Sequence, residues 1–407
     1  MKRSWKLALA SAGVAATMAA GVITPVEAQV PFWANTTVQV GGIVGSGSDT
    51  TYFLMNSLSA AYNESDGCAL TSVTFPPTGT QNRCRPEVEQ AAAVVRTENY
   101  DHDIAFSYYP QGSSAGRRQL CSQTAPRPAG VPFVTYARSS AAPGDGFSQC
   151  TDGTTLRYVA FAKDALTWVK WTGNPVANLT QGQLNDIYVD CTITNWNQVG
   201  GNNAPIGIWT AIAASGSRAT WDSFIGGSSD SCIPAAYKDG DPNTPASPSC
   251  PGERVIREHQ AAIPQNDPCL TNEADSIFFA SVGVHNAQPG AKAASIFGNI
   301  DGFAPTEGNI QSGDFPFSRF VYNVYRQSGP APTVTPQTAG FVGTNGWICK
   351  PAAQHTKPTG DPDPGGVQSS LATNNWNSVV LDTIRGDGFI PIRESGNKCD
   401  FVDVASS

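Results

Sequence analysis

Ala214-Ser215-Gly216-Ser217-Arg218 puts two hydroxyls, a glycine and an arginine directly ahead of Ala219-Thr220-Trp221-Asp222-Ser223-Phe224. The run before it, Pro205-Ile206-Gly207-Ile208-Trp209, is short and apolar and reads as a strand. Trp221 and Phe224 are three apart, as on one face of a helix. The chemistry this spacing suits is anion binding. The first N–H groups of a helix have no internal partner, and the helix dipole is positive there. Small residues let an anion approach those groups, and an arginine adds a forked, permanently charged donor. The same residues also suit an ordinary N-cap, with Arg218 as a solvated surface charge.

A second stretch has the same design. Thr36 to Val44 reads as a strand, Gly45-Ser46-Gly47-Ser48-Asp49-Thr50-Thr51 as a small-residue loop, and Tyr52, Leu54, Met55, Leu58 and Tyr62 as a helical apolar stripe. The Gly-Lys-Ser/Thr ending of a Walker loop is absent, and so is the third glycine of the dinucleotide fingerprint. A capped helix after a buried strand fits these residues equally.

Elements that could position these loops follow in order. Thr71 to Phe75 is expected as a strand, Pro76 to Thr80 as a turn, Glu87 to Arg96 as a helix and Asp103 to Ser107 as a strand. Alternating strands and helices predict a doubly wound α/β layer. Ligands of such sheets sit beyond the carboxyl ends of strands. Ser48 to Thr50, Thr78 to Thr80 and Ser107 lie at such ends.

The remaining chain is read more coarsely. Gln111 to Leu156 is polar and rich in Gly, Pro and Ser, and is expected as a stapled surface excursion. Tyr158 to Trp171 is strongly apolar and opens a second lobe. Leu179 to Tyr188 is expected as a helix capped by Thr180, with Leu184, Ile187 and Tyr188 inward. Thr194 to Gly201 reads as a turn. Residues 227–252 read as a loop, Glu253 to Ala262 as a helix, and Asp275 to Val284 as a helix followed by a strand. Phe320 to Tyr325 is expected as a strand, 327–340 and 351–368 as Pro/Gly-rich loops, and Trp376 to Arg385 as an amphipathic helix.

Composition bounds the class. The 407 residues suit two or three domains or one large two-lobed one. The net charge of −8 argues against non-specific binding to nucleic acid or anionic membranes. Lys2, Arg3 and Lys6 precede an apolar run from Leu7 to Ile23, and Thr24-Pro25-Val26-Glu27-Ala28 ends in small residues. This pattern predicts a signal peptide cleaved after Ala28. No cysteine follows at the lipoprotein position, so the mature chain is expected to be exported without a lipid anchor. An even set of ten cysteines suits disulfides in that compartment. Sequential pairing (68–84, 121–150, 191–232, 250–269, 349–399) closes only local loops and is the expected connectivity. The spacing is wide and holds no CxxC, which argues against a zinc site.

These motifs together resemble the phosphate-binding substrate-binding proteins of bacterial ABC importers. The matching pieces are the early Gly-Ser-Asp-Thr loop, Ala162 to Leu166, Leu179 to Leu184, Ile193 to Gly201, Ser215-Gly216-Ser217-Arg218 and Phe315-Pro316-Phe317-Ser318-Arg319. The resemblance implies an α/β, two-lobed periplasmic-binding-protein fold with two hinge crossovers and disulfide-stapled loops. Lobe one would comprise 29–158 and 319–407, and lobe two 159–318. It implies a monomer that clamps inorganic phosphate, or a related oxyanion, for importer membrane subunits, with no cofactor. Carried over by position, the anion donors are Ser48, Asp49, Thr50, Thr78, Gly79, Thr80, Ser107, Ser215, Gly216, Ser217 and Arg218. Two positions depart from the family. Ala211 stands where many members have an arginine, and Tyr108 where some have a proton-accepting aspartate. Asp49 is expected to supply that acceptor instead. A carboxylate there accepts the proton of monohydrogen phosphate and repels sulfate.

Other classes fit less well. A hydrolase using Ser215 or Ser48 lacks a Gly-x-Ser-x-Gly elbow, and none of His102, His259, His285 and His355 has HExxH spacing. Asp239/Asp241 and Asp361/Asp363 sit in Pro/Gly loops and read as solvated turns. The absence of a lipid anchor leaves open a surface adhesion or signalling protein that retained the fold with a different ligand or none.

Overall fold

A computed structural model describes residues 45–63, 73–75, 79–81, 112–122, 134–144, 150–238, 254–256, 258, 273–287, 295–328, 334, 336–351, 378–393 and 396–404. The expected signal peptide, the helix at 87–96, the strand at 103–107, Thr78, Ser107 and Trp376 lie outside them.

The strands used below, in chain order, are β1 (Gly45–Gly47), β2 (Tyr136–Ser139), β3 (Thr155–Trp171), β4 (Gly207–Ile208), β5 (Thr210–Ala211), β6 (Val255–Ile256), β7 (Ser276–Ser281), β8 (Ser295–Phe297), β9 (Ser318–Ser328), β10 (Ile390–Pro391) and β11 (Asp400–Val404). The helices used below are α1 (Tyr52–Asn63), α2 (Ser113–Ser122), α3 (Gln181–Tyr188), α4 (Gly216–Ile225), α5 (Val282–Ala287), α6 (Glu307–Ser312), α7 (Pro336–Val342) and α8 (Val379–Gly386).

One mixed sheet runs through the described residues in the order β1-β2-β9-β3-β7-β4, with β8, β10 and β11 also paired to β3. The pairs β1–β2 and β7–β4 are parallel, whereas β9, β7, β8, β10 and β11 all pair with β3 antiparallel. Among the described residues the parallel pairs of this mixed α/β sheet lie at its ends. Its middle is built by two long antiparallel strands, β3 and β9.

Those two strands are the crossovers. Their register pairs Asp164 with Arg319 and Ala165 with Ser318. Before that point β3 gives Val159 and Phe161 to a core with Leu54, Met55, Leu58 and Tyr62 of α1 and Val380 and Ile384 of α8. After it, Leu166 and Trp168 join a second core with Leu184, Ile187, Tyr188, Trp221, Ile277 and Phe279. The opposite faces of β3 are covered too, Tyr158 and Ala160 in one cluster and Val169 and Trp171 in another. A strand buried on both faces reads as one apolar run. Tyr158 to Trp171 therefore reads as one apolar run while lining two cores. Val159, Phe161 and Ala162 pack in the same cluster as α1 and α8.

Several expectations are corrected. The described parts of 111–156 are no surface excursion: they supply α2 and the inner strand β2, with Leu120, Val134, Tyr136 and Ala137 all buried. Gly45 to Gly47 is a strand rather than a loop, because α2 lies directly on it. A Cβ on Gly116 would stand 2.4 Å from the Gly47 Cα. Val255–Ile256 is a strand paired with β5, as its β-branched residues favour, where a helix was expected. Around 275–284 the order is reversed, strand β7 preceding α5. Ile277 to Ala280 is buried on all sides, and periodicity cannot tell such a strand from a buried helix segment. Residues 336–340 begin α7 rather than continuing a loop.

Other expectations hold. Thr180 caps α3 in a capping box with Gln183, and Leu184, Ile187 and Tyr188 are buried. The disulfides Cys121–Cys150, Cys191–Cys232 and Cys349–Cys399 are present as paired in sequence order. Cys68, Cys84, Cys250 and Cys269 lie outside the described residues. Among the described residues no helix is long and apolar enough to cross a membrane.

Candidate anion-binding site

Three helix starts and the two crossover strands meet at one buried point. Ser48, Asp49 and Thr50 lead from β1 into α1, Gly112 and Ser113 open α2, and Ser215 to Ser217 open α4. All of these except Gly112 and Gly216 carry a polar side chain, and Ser48, Asp49, Thr50, Ser113, Ser215 and Ser217 are buried.

The hydroxyls form a chain. The Ser48 Oγ–H donates to Ser140 Oγ at 3.0 Å, and Ser140 Oγ is 3.2 Å from Ser113 Oγ. The Ser140 N–H donates to Ser113 Oγ at 3.0 Å. Thr50 Oγ1 and Ser217 Oγ are 2.8 Å apart. That contact joins the first half of the chain to the second. It depends on Gly216, where a Cβ would come within 2.4 Å of Ser113 Oγ and 2.6 Å of Ser140 Oγ. A side chain at 216 would have to push both hydroxyls aside, so glycine suits the close approach of α4 to α2. Gly112, at φ +86°, is likewise pressed against the Ala214 carbonyl.

Charge enters from the crossovers. Arg319 Nη2 donates to Ser217 Oγ at 2.7 Å and Nη1 to the Ser140 carbonyl at 3.0 Å. Its Nε and Nη2 also hold Asp164 Oδ2, at 3.1 and 2.8 Å. Asp164 in turn accepts from the Ser281 hydroxyl at 2.8 Å. Glu258 is the other carboxylate. Its Oε2 accepts from Thr50 Oγ1 at 2.7 Å and from Ser217 Oγ at 2.6 Å, and its Oε1 from the Ser281 N–H at 3.0 Å. Burial raises the Glu258 carboxyl above its ordinary range, with Asp164 adding to the rise, while Arg319 and the Ser217 and Thr50 hydroxyls oppose it.

The expected site residues divide clearly. Ser48, Thr50, Gly216 and Ser217 come together. Asp49 is adjacent but turned to structure: its Oδ1 accepts the Gly112 N–H at 3.0 Å, at the start of α2. Ser215 caps its own helix by accepting the Arg218 N–H at 3.2 Å. Gly79 and Thr80 lie in a short strand paired with Val73–Phe75. The Arg218 guanidinium points elsewhere, to Asp222, the Ala211 carbonyl, Ser228 and Asp230, the last at 2.9 Å. The arginines at the hydroxyl cluster are Arg319 and the buried Arg138, whose Nε donates to the Ser48 carbonyl at 3.2 Å, not Arg218.

Sequence reasoning missed Ser113, Ser140, Asp164, Glu258 and Arg319. Gly112-Ser113-Ser114 shows the same small-residue signal as the two loops that were read. Arg319 and Asp164 lie inside motifs that carried the family resemblance. Nothing in the local sequence marks Glu258.

The profile of the PBP superfamily domain matches residues 86–343, more than half of the chain. The chain belongs to the PBP superfamily. The structure of this superfamily member is similar in fold to a protein described as a phosphate ABC transporter substrate-binding protein with bound phosphate, from Clostridium perfringens. The two are 16% identical, the match covers 86% of this chain and 99% of that one, and the TM-score is 0.50. An ABC-type phosphate transport receptor from Vibrio cholerae matches at 20% identity over 71% of this chain and 88% of its own, with a TM-score of 0.39. A phosphate-binding protein from Stenotrophomonas maltophilia matches at 13% identity over 87% and 91%, with a TM-score of 0.42. At 16% identity the Clostridium perfringens match speaks to the fold alone.

Within that fold the cluster lies where the two halves of this PBP-superfamily chain meet. Short, directional donors come from both halves, and a guanidinium is held in place by a carboxylate behind it. Such an arrangement can replace the hydration shell of a small oxyanion with charge-assisted hydrogen bonds. Among the described residues no group of three or more His, Cys, Asp or Glu could hold a metal ion.

Proposed function

We propose that this PBP-superfamily protein is an exported solute-binding protein that captures inorganic phosphate, or a related oxyanion, between its two halves and delivers it to an ABC importer. One observation carries this: Thr50 Oγ1 of the first half and Ser217 Oγ of the second are 2.8 Å apart, with Arg319 Nη2 donating to Ser217 at 2.7 Å. Donors from two bodies that converge beside a buried cation are what a clamp for a small anion needs. The solved relatives described as phosphate-binding support phosphate as the first anion to try.

The sites expected of a hydrolase are committed to other tasks. Ser215 Oγ is a helix cap, and Ser48 Oγ donates to Ser140. His285 is 4% exposed, with its Nε2 2.6 Å from Ser295 Oγ and its ring on Phe297. Capture without reaction fits these positions.

The test is calorimetric titration of the mature chain, stripped of anions by unfolding and refolding, with phosphate and then sulfate. One-to-one phosphate binding is expected. Absence of heat with either anion, from folded protein, would sink the proposal and favour the adhesion or signalling alternative.

A further inference from the structure

We infer that the Glu258 carboxylate is a built-in stand-in for the oxyanion, which clasps the two halves together and sets the affinity for any anion that must take its place. That these donors serve an anion rests on the function proposed above; the clasp itself rests only on geometry.

The geometry is specific. Glu258 is fully buried, and one carboxylate oxygen, Oε2, accepts from both Thr50 Oγ1 (2.7 Å) and Ser217 Oγ (2.6 Å). These are the hydroxyls that face each other across the two halves. Each has a single proton to give, so a hydroxyl donating to Glu258 is not donating to a ligand. Its other oxygen is held by the Ser281 N–H at 3.0 Å, next to the Ser281 hydroxyl that anchors Asp164. The carboxylate is thus fixed at both oxygens and presents the shape and charge of part of a small oxyanion.

The charge balance points the same way. Arg138 is buried at the edge of the cluster, its Nε donating to the Ser48 carbonyl at 3.2 Å, and Arg319, the cation nearest Ser217, already faces two carboxylates, Asp164 in direct contact and Glu258 through Ser217. Adding a phosphate or sulfate beside an ionised Glu258 brings like charges together where little water screens them. Anion entry is therefore coupled to displacement of Glu258. The apparent affinity is reduced by the fraction of molecules in which the carboxylate holds the donors.

The experiment compares anion-stripped wild type, Glu258→Ala and Glu258→Gln by small-angle X-ray scattering, with thermal unfolding confirming that each is folded. Wild type is expected to be compact without ligand. E258A is expected to show a larger radius of gyration that phosphate restores. Titration is then expected to give E258A tighter binding of phosphate and sulfate alike, by about tenfold or more where the carboxylate holds at least nine molecules in ten. An E258A radius equal to that of wild type overturns the clasp. So does an E258Q that weakens phosphate while gaining sulfate, because Glu258 would then be a proton acceptor touching the ligand. If E258A does not fold, Thr50→Val removes the donor from the first half and must open the ligand-free protein equally. Opening of the variants with no anion bound by any form would retain the clasp and refute the phosphate function. Phosphate binding with unchanged radii would do the reverse.

Discussion

The Arg319 guanidinium and the Asp164 carboxylate pair at 2.8 Å across β3 and β9, at the register point where β3 passes from one core to the other. Both side chains are almost fully buried. The pair also reaches Ser217 in one half and Ser140 next to the other. A buried ion pair adds little net stability, but breaking one leaves an uncompensated charge. Here it fixes a cation at the one place that both halves share.

Arg319 and Arg218 should therefore separate cleanly. Arg319→Gln is expected to weaken phosphate binding by about 30-fold or more, since truncating one partner of a buried, hydrogen-bonded charge pair costs about 2–5 kcal/mol. Arg218→Gln is expected to leave binding within a few fold and to cost about 2–4 kcal/mol of stability, because Asp222 and Asp230 lose a partner. Calorimetry and thermal unfolding of the two variants check both halves. Equal losses of affinity would show that Arg218 also serves the ligand.

Gly116→Ala tests the packing that brings α2 to the cluster. The new methyl would meet the Gly47 Cα at 2.4 Å and the Ser46 carbonyl at 2.5 Å, and these backbone atoms cannot rotate away. Overpacking of this kind costs about 1–3 kcal/mol. It should also displace Ser113, which starts the same helix, so stability and anion affinity should fall together. A variant with wild-type melting and binding would refute this tight contact.

Asp387 gives a pH signature. Burial pushes its carboxyl up from 3.8 to about 6, against a hydrogen bond from Ser57. A carboxyl with a raised folded pKa contributes its full stability below the unfolded value, and that contribution is lost as pH rises through about 6. Asp387→Asn should thus be more stable than wild type at pH 7, by roughly 1–3 kcal/mol. The difference should disappear near pH 4. Chemical denaturation at the two pH values measures it, and a variant less stable at pH 7 would reverse the sign.

The Cys191–Cys232 bridge spans 41 residues and ties the end of α3 to the loop after α4. Closing a loop of that size removes about 4 kcal/mol of unfolded-state entropy. The double variant Cys191→Ser, Cys232→Ser is expected to lose about 2–4 kcal/mol in urea unfolding while still binding phosphate. The bridge lies outside the hydroxyl cluster, so loss of binding in folded protein would contradict this separation of roles.

Local sequence determined a good deal. The helix starts at Ser48 to Thr50 and Ser215 to Ser217 were legible because small hydroxyl residues before an apolar stripe have one common use. The α3 cap and its inward face were legible for the same reason: capping and helical period are short-range. The three described disulfides followed chain order. The tertiary structure decided the rest, because contacts between residues far apart in the chain leave no local pattern. Ala214-Ser215-Gly216-Ser217-Arg218 named an arginine, but helix rotation turned Arg218 toward Asp230 and left the site to Arg319, 102 residues beyond Ser217. Asp49 was the nearest carboxylate in sequence, yet Glu258, 208 residues from Thr50, is the one that meets the hydroxyls. Strands buried on both faces, β3 and β7, carry no alternation, so their place at the junction emerged only from their pairing. A side-chain cluster shared by two parts of a chain is set by how those parts meet. That is a property of long-range packing, which no window of sequence contains.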